Sequence, residues 1–470
     1  MGRRLQVGLA ATLVALMPTL AVAEGPDPLA ASARTADRLR ATLGDGRRTV
    51  LRGSMLLRED VADTDGSIGG DVRAAIRRSP SVWAALEGAE ASGHRVQAAR
   101  GAMLPSLALL ADLDVPGNDE GWGARRRASL GASLSVPIFA SGGHLARLRA
   151  ARASRDAADY GVLARERAVA LEAVTATLAV SEAESALRAL RENLAGMRLL
   201  LDSARILHEA GEVGSADLDF ARANVEAARG EFAAAREALE QARIDLRTLV
   251  GGDGTPRSID NDHLVPGDVE AAVALAVRDH PSARAGRSEA EALRHGARAA
   301  WSALGPRVDL DAGFGREREW GFERVAESEP DRWSGGFGVR LRMPLADMQG
   351  AARAREANAE ARRADWLARD RARSLEREVR RAYAAHRGTG ERLSSAKARI
   401  HSLAGALTAT RAEYRVGLKT ITDVTRVQVD LARARIAEAA IRHERAREAY
   451  AIGVLTGTAM DARLPELAAR

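Results

Sequence analysis

Trp333-Ser334-Gly335-Gly336-Phe337-Gly338-Val339-Arg340-Leu341-Arg342-Met343-Pro344 alternates two kinds of side chain. Trp333, Phe337, Val339, Leu341 and Met343 form one set, with Gly335 as its only blank. Ser334, Gly336, Gly338, Arg340 and Arg342 form the other. A period of two with one polar face predicts a strand whose two faces meet different surroundings. The pattern recurs 207 residues earlier, where Leu134-Ser135-Val136-Pro137 matches Leu341-Arg342-Met343-Pro344. There, Ala128, Leu130, Ala132, Leu134 and Val136 alternate with Ser129, Gly131, Ser133 and Ser135. Each of these strands has a partner just upstream. Val308, Leu310, Ala312 and Phe314 alternate with Arg307, Asp309, Asp311 and Gly313, and Leu107, Leu109, Ala111 and Leu113 give a similar face.

The strands are islands in a helical chain that repeats itself. Ser79-Pro80-Ser81 matches His280-Pro281-Ser282, and Pro105 matches Pro306, at an offset of 201. Gly211, Asp217, Leu249 and Gly251 match Gly417, Asp423, Leu455 and Gly457 at an offset of 206. Each copy reads as helix, two strands, very long helix, glycine break and helix. The first long helix is expected from about Ala140 to Ala210. About 70 residues at 1.5 Å each make a rod of roughly 105 Å. Within it Leu187, Leu190, Leu194, Met197, Leu201 and Ala204 alternate steps of three and four. Leu393, Ala396, Ile400, Leu403, Leu407 and Thr410 repeat that register. After the first glycine break, Leu218, Ala221, Val225, Ala228, Phe232, Ala235, Leu239, Ala242, Leu246 and Leu249 continue it. This is coiled-coil packing.

Composition agrees. Aromatics make up 3% of the 470 residues, and hydrophobic residues 46%. Such a mixture suits long helices packed through Ala and Leu seams. Trp122, Phe139, Trp301, Phe314, Trp320, Phe322, Trp333 and Phe337 sit in or beside the four strands. Half of the aromatics therefore fall in about a sixth of the chain, as the interfacial girdles of a membrane barrel require.

The N-terminus carries Arg3 and Arg4, an apolar run from Leu5 to Leu20, and Ala21-Val22-Ala23. Residues 1–23 read as a secretory signal peptide. Residues 24–70 read as a linker, 71–262 as the first repeat with strands about 105–137, and 263–460 as the second with strands about 306–344. Residues 461–470 form a C-terminal tail. No other run is long and apolar enough for a membrane helix. A membrane-spanning reading therefore needs strands closed into a barrel, because lipid satisfies no backbone groups. Four strands cannot enclose a lumen, so several copies must contribute. A half-buried soluble sheet shows the same alternation, which leaves a soluble periplasmic coiled-coil scaffold as the alternative.

Several function classes are excluded. With 0 Cys, disulfides, thiolate metal sites and a cysteine nucleophile are ruled out. The phosphate-loop, nucleophile-elbow and paired-His zinc motifs are absent, and His443-Glu444 lacks a second His at the required spacing. No enzyme activity, cofactor or metal is expected. The net charge of +6 comes from acids and bases interspersed along the chain, not from a one-signed stripe, so no nucleic-acid partner is expected.

The order of elements, the two-fold repeat and the strand-ending Pro137 and Pro344 resemble TolC-type outer-membrane channel proteins. The closest motif is Tyr414-Arg415-Val416-Gly417-Leu418-Lys419-Thr420-Ile421-Thr422-Asp423-Val424, with a first-copy counterpart ending Ala216-Asp217-Leu218. The resemblance covers roughly residues 71–458. It implies a mainly α fold with a small β part: a homotrimer whose strands form one outer-membrane β-barrel and whose helices continue it as a periplasmic α-helical tunnel. It further implies an exit duct for efflux or type I secretion, in outer-membrane lipid. A periplasmic adaptor would join it to an inner-membrane transporter of ABC or RND type. By the same resemblance, Tyr414 and Lys419 fall where a Tyr and an Arg hold the second coil closed, and Asp217 where their first-copy partner stands. Asp423 matches an acidic ring. Arg426 departs from a second acidic position, and weak ion selectivity is expected from it. Ala216 replaces a hydroxyl residue. Asp309, Asp311, Arg340 and Arg342, on the polar strand faces, are expected in the barrel lumen. Helix capping is a competing role for Asp217 and Asp423.

Overall fold

The computed structural model describes residues 68–114, 126–251, 264–320 and 332–460. The signal peptide, nearly all of the 24–70 linker, Trp122, Phe322 and the 461–470 tail lie outside them. All described residues belong to one compact unit beginning at Asp45.

The first copy contains α1 (Ile68–Arg78), α2 (Pro80–Gly101), β1 (Ser106–Asp114), β2 (Arg126–Phe139), α3 (Gly143–Glu209) and α4 (Ser215–Val250). The second contains α5 (Val269–Asp279), α6 (Pro281–Ser302), β3 (Arg307–Trp320), β4 (Arg332–Arg342), α7 (Met348–Arg415) and α8 (Ile421–Thr456), followed by a short 3-10 turn, Thr458–Met460. Each copy thus has two helices before its strands, where the periodicity suggests one. The break falls at Pro80 and Pro281. A proline holds the residue before it in extended backbone. Ser79 has φ −69° and ψ 114°, and His280 has φ −61° and ψ 131°.

The four strands form one antiparallel sheet in sequence order. Register decides what that sheet can do. Leu107 pairs with Leu134, and Leu109 with Ala132. Ala132 pairs with Phe314, Leu134 with Ala312 and Val136 with Leu310. Val308 pairs with Leu341, Leu310 with Val339 and Ala312 with Phe337. Directly paired residues share a face, so the four apolar sets merge into one continuous surface. Pro137 does not end its strand: β2 runs on to Phe139 through a register shift between Pro137 and Phe139. A bulge accommodates a residue that has no backbone N–H to donate.

The long helices are rods. α3 has 67 residues and α7 has 68, each about 100 Å long. Leu194, Met197, Leu201 and Ala204 of the expected stripe are buried, as are Leu218, Ala221, Val225 and Ala228 of α4. One apolar cluster near the coil ends joins both copies, with Leu194, Leu201, Leu218, Val225, Leu407, Tyr414, Ile421, Val424 and Leu431 among its members. A second cluster sits higher, where Ala272, Val273 and Ala276 of α5 pack with Leu375 and Val379 of α7 and Leu455 of α8.

Candidate functional site: the coil turns and the two-faced sheet

Both copies reverse direction at a glycine. Gly211 has φ 77° and Gly417 has φ 76°. That left-handed backbone disfavours any side chain. The same hydrogen bonds close both turns: Glu212 N–H donates to Leu207 O and Leu418 N–H to Glu413 O, each at 2.9 Å. This six-to-one bond is the Schellman arrangement, and it satisfies carbonyls that the ending helix leaves open.

The helices that follow start differently. In the second copy, Thr420 and Asp423 cap each other. Asp423 N–H donates to Thr420 Oγ1 at 3.3 Å, and Thr420 N–H donates to Asp423 Oδ2 at 3.1 Å. The Thr420 backbone N–H and the Thr420 hydroxyl, which donates to the same Oδ2 at 2.9 Å, hold the Asp423 carboxyl below the usual carboxylate range, with smaller help from the charges of Lys419 and Arg426. In the first copy Gly214 stands at the cap and provides no side-chain bond. Asp217 is exposed in the first turn of α4. There the helix dipole favours its charge.

Tyr414 is nearly buried, at 9% exposure, in the cluster shared by the two copies. Burial raises its hydroxyl pKa, and the negative charge of Asp217 raises it further. Asp217 of the first coil and Tyr414 of the second are therefore electrostatic neighbours. Lys419 is exposed in the turn, and Arg426 is exposed on α8 one turn after Asp423. Val416 and Leu418, also in the turn, are 69% and 75% exposed. Thr420 escaped the sequence reading, although the Thr-x-x-Asp spacing is that of a capping box.

At the other end of the molecule, the sheet presents two unlike faces. The apolar face is bare: Leu107 is 76% exposed, Phe337 86% and Leu341 66%. From Trp333 to Met343 it extends about 33 Å along the strand, or about 25 Å at the usual barrel tilt. That height suits the apolar band of a membrane barrel. Phe314 and Trp333 stack with centroids 5.2 Å apart near one end of it. The opposite face carries Asp309, Asp311, Arg340 and Arg342, and it links charges across strands. Ser135 Oγ donates to Asp311 Oδ1 at 2.9 Å, and Arg340 lies 3.3 Å from Asp311. Asp309 accepts from Arg307 Nε at 3.1 Å. Arg307 and Ser135 belong to this network together with Asp309, Asp311 and Arg340. Arg342 stands opposite Arg307, a like charge, in the register.

Among the described residues no helix is long and apolar enough to cross a membrane, and no group of three or more His, Cys, Asp or Glu could hold a metal ion.

An antiparallel sheet with one bare apolar face, carried on two long coiled coils in tandem, defines the class of outer-membrane channel folds. The chain belongs to the outer membrane efflux protein family, whose model matches residues 72–252 and 273–458. The fold is also that of several solved channels. CusC aligns over 86% of this chain and 95% of its own, with a TM-score of 0.74 at 16% identity. The outer-membrane channel OprN aligns over 84% and 91%, with a TM-score of 0.73 at 21% identity. The Campylobacter jejuni outer membrane channel CmeC aligns over 86% and 89%, with a TM-score of 0.72 at 16% identity. No curated protein matches the sequence significantly.

Proposed function

We propose that the protein is a passive exit duct of the outer membrane, working as a homotrimer. The bare apolar face of the sheet carries this reading. Large side chains such as Phe337 and Leu107 are uncovered by the rest of the described chain. Water disfavours a continuous surface of this kind, and lipid accepts it. Among the described residues the sheet also ends in two edges, β1 and β4, with no further strand paired to them. Inside a bilayer such edges must be paired. Three copies joined β4 to β1 would close a twelve-stranded barrel and leave no edge. The polar face, with its ion pairs between Asp309 and Arg307 and between Asp311 and Arg340, would then line the lumen.

The long coils would continue the duct into the periplasm and close it at their turns. Tyr414, Asp217 and Lys419 are the groups proposed to hold the second coil shut. A periplasmic adaptor would dock there and couple the duct to an inner-membrane transporter of ABC or RND type, in efflux or type I secretion. The energy would come from that transporter. A soluble periplasmic scaffold is disfavoured, because it would need a cover for the apolar face and none packs on it among the described residues.

Membrane fractionation tests the proposal. The protein should sediment with outer membranes, resist extraction by salt, and give discrete conductance steps in planar bilayers. Recovery wholly in the soluble periplasm would overturn it.

A further inference from the structure

Above the turns, the seam between the two copies is interrupted by a polar layer. Gln428 on α8 is 5% exposed and faces Gly196 on α3. A Cβ at position 196 would stand 2.7 Å from Gln428 Nε2 and 2.8 Å from its Cδ. The carboxamide therefore fills the space that Gly196 leaves open, and a Cβ there would push it out of its present seat. Its Oε1 accepts a 2.7 Å hydrogen bond from Arg411 Nη2 on α7. One side chain of the second copy thus enters the first copy while tied to its own hairpin partner.

Its surroundings make this contact selective. Leu194, Met197, Val424 and Leu431 form the apolar seam around it. Asn193, one turn before Gly196, is 2% exposed, and its Oδ1 has no hydrogen-bond partner among the described residues. Thr425, one turn before Gln428, is 7% exposed. A polar group in a coiled-coil seam costs stability and fixes register, because any other alignment strands it among apolar side chains. Gln428 lies seven residues into α8, about 10 Å from the turn that carries Lys419.

We infer that Gln428, seated in the Gly196 notch and held by Arg411, is a positioning residue that latches the second coil against the first in the closed duct. This rests on the gate reading above. Any displacement of α7 and α8 from α3 must withdraw the carboxamide from its notch. The seam then loses the contact that defines its register, and the coils shift more easily.

The test is single-channel conductance of the purified full-length trimer in planar bilayers, with its thermal unfolding midpoint measured alongside. Gly196→Ala and Gln428→Ala should each raise conductance several-fold. The double variant should not exceed Gln428→Ala alone, because the methyl then fills vacated space. Gln428→Glu keeps the length and the bond to Arg411 and should stay near wild type. Gly230→Ala, on the exposed side of α4 with nothing within 4 Å, should change nothing. If Gly196→Ala fails to fold, the contrast between Gln428→Ala and Gln428→Glu carries the test. Additive effects in the double variant would overturn the notch. So would wild-type conductance in Gln428→Ala while Tyr414→Phe with Lys419→Ala opens the channel. If the Tyr414 and Lys419 variant is silent and Gln428→Ala opens the channel, the latch stands and the assignment of the gate residues falls.

Discussion

Thr420 and Asp423 hold each other at the start of α8, each side chain accepting the other's backbone N–H, at 3.3 and 3.1 Å. The equivalent pair in the first copy, Gly214 and Asp217, makes no such exchange. One turn is thereby braced and the other is not. Thr420→Ala should cost the α8 start about 1 kcal/mol, as loss of a hydroxyl cap usually does. Amide exchange of the peptide spanning 418–428, corrected for intrinsic rate, should rise. The pH dependence follows from Asp423, whose carboxyl pKa is depressed in the fold. Its support is present above the ordinary carboxylate value of about 3.9 and is lost as pH falls through the lower folded value. Protection of this peptide should therefore hold at neutral pH and fade only in strong acid.

The proposed gate depends on polar groups at an otherwise apolar junction. Tyr414→Phe keeps the packing in the shared cluster and removes the hydroxyl. Combined with Lys419→Ala, it should raise single-channel conductance with little change in thermal stability. Unchanged conductance would count against the gate.

Arg426 bears on ion selectivity. It sits one turn from Asp423, whose carboxylate is already engaged with Thr420 and feels the charges of Lys419 and Arg426. Reversal potentials under a salt gradient should show weak selectivity in the wild type. Arg426→Asp should shift them toward cations. A strong cation preference in the wild type would refute this.

The two faces of the sheet should respond oppositely to charge. Phe337 lies on the apolar face, and Gly338, the next residue, lies on the polar one with nothing within 4 Å of a new Cβ. Phe337→Arg would place a cation in lipid, at a cost of about 2–4 kcal/mol near the midplane. Protein in the outer-membrane fraction should fall sharply. Gly338→Arg should leave that yield near wild type and instead reduce conductance.

Much of this architecture is written in short-range periodicity. The alternation at 128–136 and 333–343 marks strands and also marks which side chains share a face. The steps of three and four from Leu187 onward mark a seam. Gly211 and Gly417 mark reversals because left-handed backbone favours glycine. Other features leave no local trace. The alternation at Pro137 gives no sign that its strand continues past the proline through a bulge. Asp309, Asp311, Arg340 and Arg342 are legible as one polar face, but not as the ion pairs that Arg307 and Arg340 complete. Gly196 and Gln428 lie in different copies and share no motif.

By itself, then, the sequence determined the elements, their two-fold repetition and the polarity of each face, because these depend on neighbours two to four residues away. Tertiary structure alone decided that the four apolar faces merge into one bare surface, since strand register sets which residues stand side by side. It alone brought Gln428 into the Gly196 notch, because helix packing joins residues by shape and not by spacing along the chain.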